Sequence, residues 1–166
     1  MTAMITRPEA EDLLYREALL LDTGAWQEWL ELYDPDAEFW IPAWKDETTP
    51  TSDPASELSL VYYKGRRNLE DRVKRATSGL SVASTPRARC VHGVTNVIVS
   101  EAGDSAAQVF ASFTVHRYDA RAERSDLFYG RYEYRLRHDS GRWLIAAKKV
   151  ILLNDVIPTV LDFYSI

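Results

Sequence analysis

Four stretches in the second half of this 166-residue chain, residues 87–100, 107–118, 127–138 and 143–153, read as long strands. In the second, Val109, Ala111, Phe113 and Val115 fall on one face while Ser112, Thr114 and His116 share the other. In the third, Phe128, Tyr132, Tyr134 and Leu136 oppose Arg131, Glu133, Arg135 and Arg137. A period of two puts one face of a sheet in need of cover and leaves the other in water. Glu101-Ala102-Gly103-Asp104 and His138-Asp139-Ser140-Gly141 read as hairpin turns, with glycine supplying a positive φ. The second half is therefore an antiparallel meander.

The cover comes from the first half. Thr6-Arg7-Pro8-Glu9 has the pattern of a capping box, followed by Leu13, Leu14, Ala18, Leu20 and Leu21 at helical spacing. Asp22-Thr23-Gly24 breaks that helix. Trp26, Trp29, Leu30 and Tyr33 stand at i, i+3, i+4 and i+7, which predicts a second helix ended by Asp34-Pro35-Asp36. Glu38 to Ile41 reads as a short strand, Pro42 to Pro54 as a long loop, Leu58 to Tyr63 as another short strand. Arg66 to Ser78 predicts a third helix, with Leu69, Val73 and Ala76 inward and Gly79 as its stop. Helices first and strands after make a single α+β domain over residues 1–166.

Composition narrows the function. Apolar residues are 46% of the chain and charged residues 27%, enough for one real core. No apolar run is long enough to span a membrane, and Met1 to Ala10 lacks the basic-then-apolar start of a secretory signal. Cys90 is alone, so an internal disulfide is excluded, as is a zinc or iron–sulfur site built on several cysteines. A reducing, cytoplasmic setting is expected. The net charge of −5 hides an asymmetry: Glu9 to Glu57 holds fourteen acids and two bases, Lys64 to Lys149 nine acids and seventeen bases. The bases are dispersed and match no nucleic-acid motif. Arginine outnumbers lysine fifteen to five, a bias that suits protein contacts.

Candidate acids and bases are Asp34, Asp36, His92, His116 and His138. Each has a plainer structural reading: Asp34-Pro35-Asp36 as a turn with its own cap, His138 as a solvated turn residue, His92 and His116 as isolated strand histidines. Cys90 and His92 share a strand face, yet no third orienting group is identifiable, so a structural thiol is expected. No His-x-x-His or His-Glu pairing signals a metal, and Gly65 and Gly79 stand too far apart for a phosphate loop. No catalytic, cofactor-binding or metal residue is assigned. The surface reads differently. Trp44, Tyr63, Phe163 and Tyr164 fall where a domain this size runs out of interior, and the arginine face carries Arg131, Arg135 and Arg137. These seven are the expected partner-facing residues, and Phe163→Ala is expected to weaken assembly without harming the fold. The apolar run from Val156 to Ile166 also demands something to dock on.

The element order is similar to the cone-shaped fold of nuclear transport factor 2 (cystatin-like) and ketosteroid isomerase relatives, a curved antiparallel sheet packed on three helices. More specifically, Leu14-Tyr15-Arg16-Glu17-Ala18, Trp26 to Tyr33 and Asp36 to Pro42 resemble the small (beta) subunit of aromatic-ring-hydroxylating, Rieske-type dioxygenases. Tyr62-Tyr63, Asn68 to Val73, Pro86-Arg87 with His92 and Asn96, Tyr129-Gly130 with Tyr132, Trp143, Lys148-Lys149-Val150, Asn154-Asp155 and Leu161 to Tyr164 follow in order. The benzoate, anthranilate and halobenzoate group looks nearest. The resemblance implies a structural subunit that packs three with three large (alpha) subunits. The large subunit would carry the Rieske two-iron two-sulfur cluster and a mononuclear iron, fed from NADH by a reductase, sometimes with a ferredoxin. The single cysteine agrees, because a Rieske centre needs two cysteines and two histidines on one chain. The competing expectation is a stand-alone cone-fold isomerase, dehydratase or ligand-binding protein.

Overall fold

The computed structural model describes residues 4–166, so the start of the expected 1–166 domain (Met1 to Ala3) lies outside the described residues. Helix α1 (Arg7–Thr23) starts as its sequence dictates. Thr6 Oγ1 accepts from the Glu9 N–H, and the Glu9 carboxylate takes the Thr6 N–H at 2.8 Å. Gly24, at φ +78°, closes it with a bond to the Leu21 carbonyl. Helix α2 (Trp26–Leu30) is only five residues long. Strands β1 (Tyr33–Pro42) and β2 (Ser59–Lys64) precede helix α3 (Arg66–Thr77), and the meander is β3 (Arg89–Ala102), β4 (Ala106–Asp119), β5 (Arg124–Asp139) and β6 (Arg142–Leu152).

These strands form one sheet in the order β2-β1-β6-β5-β4-β3. The expectation of an antiparallel sheet needs one correction: β1 runs parallel to β6, pairing Phe39 with Lys148 and Trp40 with Lys149. A parallel pair needs a long crossover. Here β2, α3 and strands β3 to β5 lie between the two strands. A second correction concerns Tyr33, which opens β1 and pairs with Ile145 instead of ending α2. Pro35 cannot donate into a helix, and the Asp34 carboxylate instead accepts the Asp36 N–H at 2.9 Å. The third concerns the turns. Ser140 and Gly141 both take positive φ, +50° and +86°, as a tight hairpin requires, whereas Gly103 does not adopt it.

The inner sheet face carries Val109, Ala111, Phe113 and Val115 of β4 beside Phe128, Tyr132, Tyr134 and Leu136 of β5, all buried against α1 and α2. Phe113 and Tyr132 stack with ring centroids 4.1 Å apart. β3 bends at Asn96, a non-glycine residue at φ +55° inside a register shift between Thr95 and Ile98, and so curls round the end of α1. Gly130 marks the tightest approach within the sheet, where a Cβ would sit 1.9 Å from the Ile151 carbonyl oxygen. Backbone cannot step aside as a flexible side chain can. Gly130→Ala is therefore expected to cost more than about 2 kcal/mol, read as a drop in the urea midpoint with an unchanged slope.

Candidate functional site

The interior of the curved sheet holds ionised groups. Glu17 of α1 and Lys148 of β6 are both almost fully buried, with the Lys148 Nζ 3.1 Å from Glu17 Oε1. Tyr33 Oη donates to the same oxygen at 2.5 Å and Trp29 Nε1 at 3.4 Å, while Tyr134 Oη donates to Oε2 at 2.7 Å. Four donors saturate one carboxylate. On its other sides the Lys148 ammonium faces rings, 4.2 Å from the centroid of Tyr132, 5.6 Å from Tyr134 and 5.8 Å from Phe39. Burial pushes the Glu17 carboxyl up, but Lys148 and the two tyrosine hydroxyls outweigh it and hold it below the usual carboxylate range. Burial likewise pulls Lys148 down, against the opposing pull of Glu17. Tyr33, Tyr132 and Tyr134 are pushed well above the usual phenol value by burial and by the Glu17 charge. The Tyr132 hydroxyl is the one buried side-chain polar atom among the described residues without a hydrogen-bond partner.

A second buried group lies at the end of α1. His92 Nδ1 sits 2.6 Å from Asp22 Oδ1, and the His92 backbone N–H donates to Asp22 Oδ2 at 3.0 Å. Asp22 is the orienting group that sequence reasoning did not find, because it lies seventy positions away on another element. A carboxylate-oriented imidazole is the geometry of a general base. Here its Nε2 faces the Ile166 carbonyl oxygen at 3.3 Å and its side chain is 1% exposed, so no substrate reaches it. Cys90, on the same face, is half-buried, and burial, opposed only in part by Arg117, pushes its thiol up to about 11. The remaining sequence candidates do not gather. Asp34 is paired with Arg137, Asp36 and His116 are exposed, and His138 packs against Trp143. No group of three or more His, Cys, Asp or Glu side chains is placed to hold a metal among the described residues.

The expected surface residues divide. Phe163 and Tyr164 are a correction. Both are buried, in a short 3₁₀ turn (Phe163–Ser165) that returns to the chain's own core. Tyr164 stacks on Trp26 at 5.1 Å and Phe163 on Trp29 at 5.0 Å, while Asp162 pairs with Arg72 and Tyr164 Oη meets Ser84 Oγ. The apolar tail does find its dock, within the chain. Trp44 is half-buried and donates its Nε1 to the Leu152 carbonyl, bracing the 42–54 loop against β6. Tyr63 is half-buried opposite Phe39. Arg137 is occupied by Asp34, whereas Arg131 and Arg135 stand exposed on the outer face of β5, with no carboxylate partner among the described residues. Arg135 helps line an open groove of about 810 Å³ across that face, with Trp40, Ala147, Lys149 and Glu133.

A cone of helices and sheet with a polar interior defines the class as nuclear transport factor 2-like. A sequence profile described as the ring hydroxylating beta subunit matches residues 16–159, and the chain belongs to that family. It is 43% identical over 153 residues to the 2-halobenzoate 1,2-dioxygenase small subunit of Burkholderia cepacia, covering 92% of each chain. It is 40% identical to the toluate 1,2-dioxygenase subunit beta of Pseudomonas putida, covering 98% of this chain and 99% of that one. The crystal structure of the benzoate 1,2-dioxygenase beta subunit of Burkholderia mallei superposes with a TM-score of 0.82 over 99% of both chains at 32% identity.

Three outcomes follow from this geometry. Lys148→Met strands the Glu17 charge and is expected to cost about 3–5 kcal/mol, whereas adding Glu17→Gln recovers part of that loss, both measured by urea unfolding. Because the Glu17 value is depressed on folding, its stabilisation is present above the unfolded carboxylate value and lost as pH falls through the folded one, so Glu17→Gln flattens the acid limb. Phe163→Ala, in place of a pure assembly defect, is expected to destabilise the isolated chain by about 3–5 kcal/mol. An unchanged melting temperature contradicts that placement.

Proposed function

We propose that this chain is the non-catalytic small subunit of a dioxygenase that dihydroxylates an aromatic carboxylate. It would hold large subunits in register in an assembly of three of each. The observation that carries the reading is that the cone's interior is filled by the chain's own side chains. Glu17 and Lys148 close its centre, and the segment from Leu161 to Ile166 closes the Asp22–His92 end. Oxygen chemistry on a ring needs electrons and iron. One cysteine and three histidines do not fit a Rieske centre, and the histidines of β3, β4 and β5 point to different surroundings. The Rieske cluster and mononuclear iron would therefore sit on the large subunit, supplied with NADH-derived electrons by a reductase or ferredoxin in the cytoplasm.

The competing reading, a stand-alone isomerase or dehydratase, has the Asp22–His92 pair in its favour. Closure of His92 Nε2 by Ile166 makes that pair a tie between α1, β3 and the chain's last turn. Co-expression with the large subunit of a benzoate-type dioxygenase tests the choice. The account expects a coloured complex of equal subunit numbers that consumes oxygen with a benzoate-type acid, and a colourless small subunit when expressed alone. Full turnover by purified large subunits, or turnover of a small substrate by this chain alone, would contradict it.

A further inference from the structure

The segment from Leu161 to Ile166 is held differently from the rest of the core. Residues 153–160, which lead into it, belong to no helix or strand, and Val156 and Val160 are 77% and 67% exposed. No backbone–backbone hydrogen bond joins residues 161–166 to another element among the described residues. The turn closes on itself, with the Ser165 N–H donating to the Asp162 carbonyl at 3.0 Å. Side-chain contacts dock it: Asp162 on Arg72 at 3.1 Å, Tyr164 Oη on Ser84 Oγ at 3.0 Å, and the rings of Phe163 and Tyr164 on Trp26 and Trp29. A piece of chain without ladder bonds opens at less cost than the sheet it covers.

The groups beneath it are mostly donors. Both ring nitrogens of His92 face oxygen, Nδ1 the Asp22 carboxylate at 2.6 Å and Nε2 the Ile166 carbonyl at 3.3 Å. Arg87 lies over the Trp26 ring at 5.1 Å, with no carboxylate partner among the described residues. Arg72 takes its carboxylate from Asp162, on the segment itself. Tyr132 Oη has no partner, and burial with the charges of Glu17 and Asp22 raises its phenol, so it lies within range of both carboxylates. The segment thus brings three things to this end of the cone: aromatic rings for Trp26 and Trp29, a carboxylate for the guanidinium rim, and an acceptor oxygen for the imidazole.

We infer that residues 161–166 are a strap over a binding site for a monocyclic aromatic carboxylate. The ring of such an acid takes the place of Phe163 and Tyr164 on Trp26 and Trp29, and its carboxylate takes the place of the Ile166 oxygen at His92 Nε2. One small molecule then supplies what the strap supplies. Flat rings on indoles favour the aromatic part, and a donor bound to an ionised acceptor is stronger than one bound to a neutral carbonyl. In the intact chain the strap is tethered beside its own site and competes at a high effective concentration. The apparent affinity for a free acid is lowered by the fraction of molecules that are open, so the resting chain stays closed to it. The site is one of binding, formed by this chain alone, and it does not depend on the assembly proposed above.

Amide exchange on the full chain tests the strap. The Ser165 N–H is expected to exchange about a hundredfold faster than the protected amides of β5 and β6. Asp162→Asn keeps a capping side chain but drops the ion pair with Arg72, and is expected to speed Ser165 about tenfold further with the sheet amides unchanged. Exchange of Ser165 at the sheet's rate, or no acceleration in the variant, overturns the strap. Binding is read from the His92 ring signals, assigned by their loss in His92→Gln. Benzoate is expected to leave them unmoved in the intact chain and to shift them saturably once Phe163→Ala is added to Asp162→Asn. Benzyl alcohol, the ring without the charge, is expected to need about tenfold more, and acetate, the charge without the ring, to shift nothing. If the double variant is unfolded without acid, recovery of its sheet signals on adding benzoate, with the same preference over benzyl alcohol, reads the same site. A shift in the intact chain overturns the strap. Neither shift nor recovery in the double variant, or equal half-saturation by benzoate and benzyl alcohol, overturns the site.

Discussion

The fold is organised round a charge that has no water. Glu17 lies on the buried stripe of α1 with Leu14, Ala18 and Leu21, and an unpaired carboxylate there would cost several kcal/mol. Everything that touches it is an answer to that cost. Tyr33 opens β1 early and Tyr134 takes the inner face of β5, while α2 brings Trp29. Lys148 occupies an inward position of β6, where Val150 and Leu152 continue the apolar row. The parallel pairing of β1 with β6 is what brings Phe39 beside Lys148, completing the ring cage of the ammonium. One residue therefore ties α1 to β1 and to the β5–β6 hairpin more than a hundred positions away. Such a cluster specifies a single arrangement more than it adds stability, since a well-packed apolar replacement of both partners is often no worse.

The second constraint is the return of the chain's last turn. Phe163 and Tyr164 stack on Trp29 and Trp26, and Ile166 faces the imidazole of His92. The segment packs the end of the cone with the chain's own side chains. Part of the charge asymmetry in the sequence is spent internally in the same way: Asp34 with Arg137 and Glu17 with Lys148 both join the acidic and basic segments.

How much of this the sequence made legible follows from how local each signal is. The capping box of α1, the alternation of β4 and β5 and the Ser140-Gly141 turn are written within a few residues, and the structure has them all. Tyr33 was misread because a spacing of seven fits a helix, and Pro35, two residues on, outweighs it. Phe163 and Tyr164 suggested a partner because the cover for them, Trp26 and Trp29, is more than a hundred residues away. The Asp22–His92 pair and the Glu17–Lys148 pair were invisible for the same reason. A charged residue in a helix reads as surface until the element packed on it is known. Only the inward register of Lys148 between apolar neighbours hinted otherwise. Of the three arginines expected to face a partner, Arg131 and Arg135 are exposed with no carboxylate partner among the described residues, while Arg137 is committed to Asp34.

The account stands on the interior being closed, with the molecule's work done on its outside. Nuclear magnetic resonance of the purified chain during titration with benzoate-type acids asks this directly. Unmoved signals from the His92 ring and from the Tyr132 and Tyr134 side chains at saturating acid are the predicted result. Saturable shifts of those buried groups, with an exchange rate set by ligand concentration, would show an accessible pocket and contradict it.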